Sequence, residues 1–161
     1  MLFRSEPEAF LHPPAIRAAR EALYKIAELP NWQVVITTHS PIFIDVSKEH
    51  TTIIRIDKNE KGVSRTFSTD KANFDEDERK RLQMIRACNP TINEFFFTDK
   101  VLLVEGETEQ AVFTCIKGHD SNLHILNCFG KANIPMFQKI LNHFGVEYVV
   151  IHDSDSPKAK R

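Results

Sequence analysis

"VLLVEGETEQAVF" occupies residues 101–113 and changes character in its middle. Four apolar residues, Val101 to Val104, run without interruption before Glu105-Gly106 breaks the run and a charged, helix-compatible stretch follows. A short unbroken apolar run reads as a strand buried on both faces, and such strands belong to parallel sheets covered by helices on either side. The same grammar continues downstream: helix Glu107–Lys117, strand Leu123–Asn127, helix Lys131–Phe144, strand Tyr148–Ile151. In the second helix Ile134, Phe137, Leu141 and Phe144 share a face, and Gly145 stands where a C-cap glycine belongs. Strands alternating with helices through short loops predict a parallel βαβαβ sheet with right-handed crossovers.

Upstream, Ile16, Ala19, Leu23, Ile26 and Leu29 recur at helical spacing between Pro13-Pro14 and Pro30, which predicts an amphipathic helix over Pro13–Leu29. "WQVVITTHSP" (32–41) gives a short strand, Gln33–Thr38, stopped by Pro41. "TTIIRIDKNEKGVSRTF" (51–67) gives two strands around a polar turn at Asn59–Gly62. From Asp70 to Asn93 the chain is charge-dense, and Leu82, Ile85 and Cys88 supply only a narrow apolar stripe, as in a connector. Phe95-Phe96-Phe97 directly precedes the buried strand and is expected to pack the junction rather than stack on bases.

Lys and Arg number 21 against 22 Asp and Glu, a formal net charge of -1, so any site for a polyanion must be local. The three cysteines form no C-x-x-C, which argues against a disulfide framework or zinc knuckle and places the chain in a reducing cytoplasm. No signal peptide or transmembrane stretch is legible, so no membrane partner is expected.

In open parallel sheets ligands sit at the carboxyl ends of the strands. Glu105 at the end of "VLLVEG", and Asp153 and Asp155 at the end of "VVIHDSD" (149–155), then share one rim, with Glu109 one helical turn beyond Glu105. Singly, each carboxylate has an ordinary reading at a helix N-terminus or strand-end turn. Together, four would repel one another unless a divalent cation neutralised them, and hard oxygen ligands favour Mg²⁺ or Mn²⁺ over zinc.

The three motifs "VLLVEGETEQAVF", "ILNCFGKANIPMFQKIL" (125–141) and "VVIHDSD" together resemble a Toprim domain, in the version found in nucleases of the overcoming-lysogenisation-defect (OLD) family, which includes the Gabija-type phage-defence nuclease. The resemblance implies that Glu105, Glu109, Asp153 and Asp155 bind the metals used to cut DNA. "SEPEAFLHPPAI" (5–16) followed by "QVVITTHSPIFID" (33–45) resembles the distal part of an ABC-type ATPase head of the same family. By that likeness Glu6 matches the acid that polarises the hydrolytic water, and His39 the switch histidine that senses the γ-phosphate. Two departures stand out: Ser5 occupies the position of an acidic residue, and the chain contains no G-x-x-x-x-G-K-[ST]. ATP is therefore expected only if missing sequence or a partner supplies the P-loop.

The expected α/β architecture is the distal part of an ABC-type ATPase sheet over 1–69, a helical connector over 70–98, and a Toprim-like sheet over 99–161. Both ends read as cut: "MLFRS" (1–5) looks like the stub of a strand, and the Toprim sheet breaks off just after the D-x-D. The expected function is a metal-dependent DNA endonuclease, or its nuclease-bearing part, in phage defence or DNA processing. The alternative is a non-catalytic assembly subunit that needs a second chain to complete both sites. Either predicts a homo-oligomer or a partner chain; a primase- or topoisomerase-like enzyme is weaker, because the first-half motifs favour the OLD likeness.

Overall fold

The computed structural model describes residues 1–48, 51–58, 64–68, 74–88, 92–118 and 122–154. Its organising unit is a parallel sheet of β5 (Lys100–Val104), β6 (Leu123–Asn127) and β7 (Glu147–Ile151), ordered β6-β5-β7. β5 lies in the centre, and Val104 pairs in register with Asn127 on one side and Ile151 on the other. Side-chain alternation divides β5 between two helices. Val101 and Leu103 join the cluster formed by Ile134, Phe137, Ile140 and Leu141 of α4 (Ile134–His143). Leu102 and Val104 pack with Ile125 and with Phe113 of α3 (Glu107–Lys117). The helices therefore cover opposite faces, as successive crossovers of one hand require when the chain steps first one way from β5 and then back across it.

Two helix boundaries differ from the sequence expectation. Residues Lys131–Asn133 form a 3₁₀ turn and α4 begins at Ile134, because Pro135 lacks an amide hydrogen and fits only a first helical turn. Helix α1 runs Pro13–Ala27 rather than to Leu29, since the residue before Pro30 is pushed out of helical backbone.

In the first half β1 (Leu2–Ser5) and β2 (Val34–Thr37) form a parallel pair in which Ser5 lies beside Thr37. Helix α1 leans on them with only half-buried apolar residues, and its anchor is polar. Arg20 donates to the buried Asp45 carboxylate at 2.6 Å and stacks over the Tyr24 ring, while the Tyr24 hydroxyl donates to the Phe43 carbonyl. Buried Asn93 donates to the Ile44 and Pro41 carbonyls, joining this half to the turn Ile92–Phe97 that leads into β5.

The hairpin of β3 (Ile54–Lys58) and β4 (Ser64–Ser68) is antiparallel, and the turn expected at 59–62 lies outside the described residues. Arg55 reaches inward to the Phe144 and Thr98 carbonyls, and Phe67 packs over Gly145. Helix α2 (Glu76–Cys88) buries Leu82 and Ile85 in the same cluster as α4, so these two residues of its narrow stripe are core, while the Cys88 side chain lies outside what the structure describes. Phe95 and Phe96 are buried there as well.

Gly145 adopts φ 61, and a Cβ there would stand 2.6 Å from the Phe67 ring. The left-handed backbone alone costs about 1–2 kcal/mol for a residue with a side chain. Gly145→Ala is therefore expected to destabilise the chain by about 2 kcal/mol or more, read from urea unfolding midpoints, and the double variant Gly145→Ala with Phe67→Leu should recover part of that loss.

Candidate functional site

The carboxyl ends of β5, β6 and β7 converge on one rim. Glu105 follows the last residue of β5, and its carbonyl accepts a hydrogen bond from Gly130 at 2.8 Å, which closes the β6–α4 loop over the strand end. Its carboxylate oxygen Oε2 is buried and, among the described residues, has no hydrogen-bond partner. A buried anionic oxygen left unpaired is costly, and a cation is the species that removes the cost. Gly106 precedes α3, and a Cβ on it would stand 3.2 Å from Glu109 Oε2. The glycine thus leaves the space into which the Glu109 carboxylate turns back toward the rim, over a helix N-terminus that favours negative charge.

Strand β7 stops at Ile151, so His152, Asp153 and Ser154 have left the strand and its alternation no longer sets where they point. Asp153 is exposed, and its carbonyl accepts from Lys131 Nζ at 3.0 Å. Asp155 lies outside the described residues. Glu105, Glu109 and Asp153 accordingly share the rim, but among the described residues no three His, Cys, Asp or Glu side chains are gathered closely enough to hold a metal ion. The unpaired Glu105 oxygen is the feature that fits a divalent ion. Cys128, buried just after β6, has its thiol pushed up to about 12 by burial, which favours the neutral thiol.

A second group forms where β1 and β2 end. Glu6 has φ 45 and its amide donates to the Thr37 carbonyl, while its Oε1 stands 3.7 Å from His39 Nε2 with both side chains largely exposed. The Thr37 hydroxyl donates to the Ser5 hydroxyl at 3.0 Å, so Ser5 serves as a strand-end tie. Glu8 was not singled out by its sequence context, yet its Oε1 accepts from the Thr38 hydroxyl at 2.6 Å and from the His39 amide at 2.9 Å. Burial opposes the Glu8 charge, but these hydrogen bonds and one from Ser40 outweigh it and hold the carboxyl below its ordinary value. The signal available was the E-P-E spacing beside a T-T-H turn.

Comparison with known proteins bears on the rim first. Residues 96–155 match the family described as "Overcoming lysogenization defect protein-like, TOPRIM domain". They are an OLD-like Toprim domain. Residues 6–45 match "AAA domain, putative AbiEii toxin, Type IV TA system". The chain is similar to the "OLD nuclease" of Thermus scotoductus, at 30% identity over 158 residues, covering 93% of this chain and 30% of that protein. It is also similar to the "Old nuclease" of Escherichia phage P2, at 28% identity over 172 residues, covering 96% of this chain and 28% of that protein. The chain thus spans under a third of the length of these curated relatives. The Toprim match contains Glu105, Glu109, Asp153 and Asp155, and the AAA match contains Glu6 and His39. Among the described residues no helix is long and apolar enough to cross a membrane.

The depressed Glu8 carboxyl makes a signed prediction. Its ordinary value is 4.5, so its contribution to stability is present above that pH and is lost as pH falls through the lower folded value. Glu8→Gln keeps an accepting oxygen without a titrating group. The variant should lose less stability than the parent between pH 5 and 3, measured as urea midpoints; parallel acid limbs would refute the assignment.

Proposed function

We propose that the chain is the nuclease-bearing portion of a metal-dependent DNA endonuclease of the OLD type. Glu105 and Glu109 on one side, and Asp153 with Asp155 on the other, are the oxygen ligands for Mg²⁺ or Mn²⁺. The observation that carries this reading is the buried Oε2 of Glu105, without a hydrogen-bond partner among the described residues, at the carboxyl end of the central strand. The Toprim match over residues 96–155 and the names of the relatives support it.

Divalent ions held by Glu105, Glu109, Asp153 and Asp155 would supply Lewis acidity for hydrolysis of a phosphodiester. The rest of the work falls to the chain's own groups. Glu105 is fixed by a strand that is buried on both faces, and its carbonyl is tied to the Gly130 amide. A ligand on so rigid a base holds its position while substrate exchanges. Glu109 lies on α3 and Asp153 beyond β7, so the three described carboxylates come from three separate segments. The DNA is bound at this rim, not along the body of the protein, because a net charge of -1 provides no general attraction for a polyanion.

Glu6 and His39 belong to a nucleotide-responsive half in this reading, with ATP bound once a P-loop is supplied by further sequence or by a second chain. A homo-oligomer or partner chain completes that site. The biological role is defence against phage or DNA processing.

Plasmid DNA incubated with the intact protein should be cut when Mn²⁺ or Mg²⁺ is added and left whole in EDTA. Asp153→Ala and Glu105→Gln should each lower the rate by about 100-fold or more, as loss of a direct ligand must exceed the usual cost of disturbing its surroundings. Cleavage that persists in both variants would sink the assignment of the rim.

A further inference from the structure

The β6–α4 loop is built in a way that metal binding alone does not require. Phe129 has φ 55, a left-handed conformation that is strained for a bulky residue. Two amide side chains hold it there. Asn127, almost wholly buried, accepts the Phe129 amide at 2.8 Å, and Asn133 donates to the carbonyls of both Cys128 and Phe129. Gly130 follows with φ 113, its amide on the Glu105 carbonyl. The consequence of these two reversed residues is positional: the chain folds back across the ends of β5 and β7, and Lys131 arrives at the Asp153 segment with Nζ 3.0 Å from the Asp153 carbonyl. That carbonyl also lies 2.9 Å from His152 Nδ1.

The other cations that hydrogen-bond to the backbone around this sheet stand at its opposite edge. Lys117 Nζ donates to the Leu123 carbonyl at the start of β6, and Arg55 donates to the Thr98 and Phe144 carbonyls, just before β5 and β7 begin. Among the described residues, Lys131 is therefore the cation hydrogen-bonded to the carboxylate rim itself. A phosphodiester entering a rim of carboxylates meets repulsion at every non-bridging oxygen that a metal ion does not face, and a lysine ammonium is a compact point charge suited to such an oxygen.

We propose that Lys131 binds a non-bridging oxygen of the DNA phosphate at the cleavage site, and that the strained Phe129-Gly130 turn exists to place it. This inference rests on the nuclease reading and extends it to a residue outside the carboxylate set. The ammonium donates hydrogen bonds and counter-charge; no proton leaves it. The contact with the Asp153 carbonyl helps keep the side chain at the rim before substrate arrives.

A simple tether between the loop and the Asp153 segment is the competing explanation, and substitution chemistry separates the two. Lys131→Gln keeps a donor for the carbonyl without charge, Lys131→Arg keeps the charge, and Lys131→Ala keeps neither. Each variant of the intact protein would be assayed for Mn²⁺-dependent DNA cleavage and, with Ca²⁺ present, for the salt dependence of binding to a short duplex. The inference expects Gln and Ala to lose about 100-fold in cleavage rate, as for loss of one preorganised charge-stabilising donor, with Arg retaining most of the activity. It also expects the slope of log affinity against log salt to shrink by about 0.9, one phosphate contact, in Gln and Ala but not in Arg. Gln that cleaves and binds as the parent does would leave only the tether and overturn the inference, while the nuclease reading stands. A parent protein that cuts no DNA with either ion would overturn both.

Discussion

Burial of β5 on both faces is the constraint from which the rest follows. Leu103 and Val104, neighbours that point to opposite sides, are both fully removed from solvent. Removing each such side chain from water contributes about 1.5–3 kcal/mol, so neither face can be left uncovered without a large loss. One helix must therefore lie on each side, and the only short route that achieves this steps from β5 to β6 and then returns across β5 to β7. The first and last strands of the series thereby become hydrogen-bonded neighbours. Bringing the Glu105 and Asp153 ends together is a by-product of covering a hydrophobic strand twice.

That placement also explains how a costly group is tolerated. A partnerless buried carboxylate oxygen would relax toward water if it stood on a loop. On Glu105 it follows directly from the most enclosed strand, and the Gly130 amide fixes the backbone behind it. The stability of the sheet holds the charge where a cation can use it.

Much of this was legible in the residues. The unbroken run Val101 to Val104 announced a two-sided strand, and the spacing of Ile134, Phe137 and Leu141 announced the helix that covers it. Polar devices were not legible, because their meaning depends on partners distant in sequence. Asn93 reads as an ordinary loop residue until its amide is seen on the Ile44 carbonyl, 49 positions away. Glu8 reads as one more surface acid until Thr38 and His39 donate to it. Lys131 was read as the first residue of a helix, and a left-handed Phe129 cannot be inferred from composition at all. Nor did the residues show that the strand ends at Ile151, two positions before Asp153.

The uneven burial of the two halves has a consequence for time as well as for shape. Helix α4 buries five side chains and α1 buries none, so the free energy needed to open each locally differs widely. Amide hydrogens along β5 can reach solvent only when the whole core comes apart. β1 is more open, with Phe3 and Arg4 exposed. Glu105 thus follows the most enclosed strand among the described residues, and Glu6 with His39 a more open pair, so opening the two surroundings carries different free-energy costs.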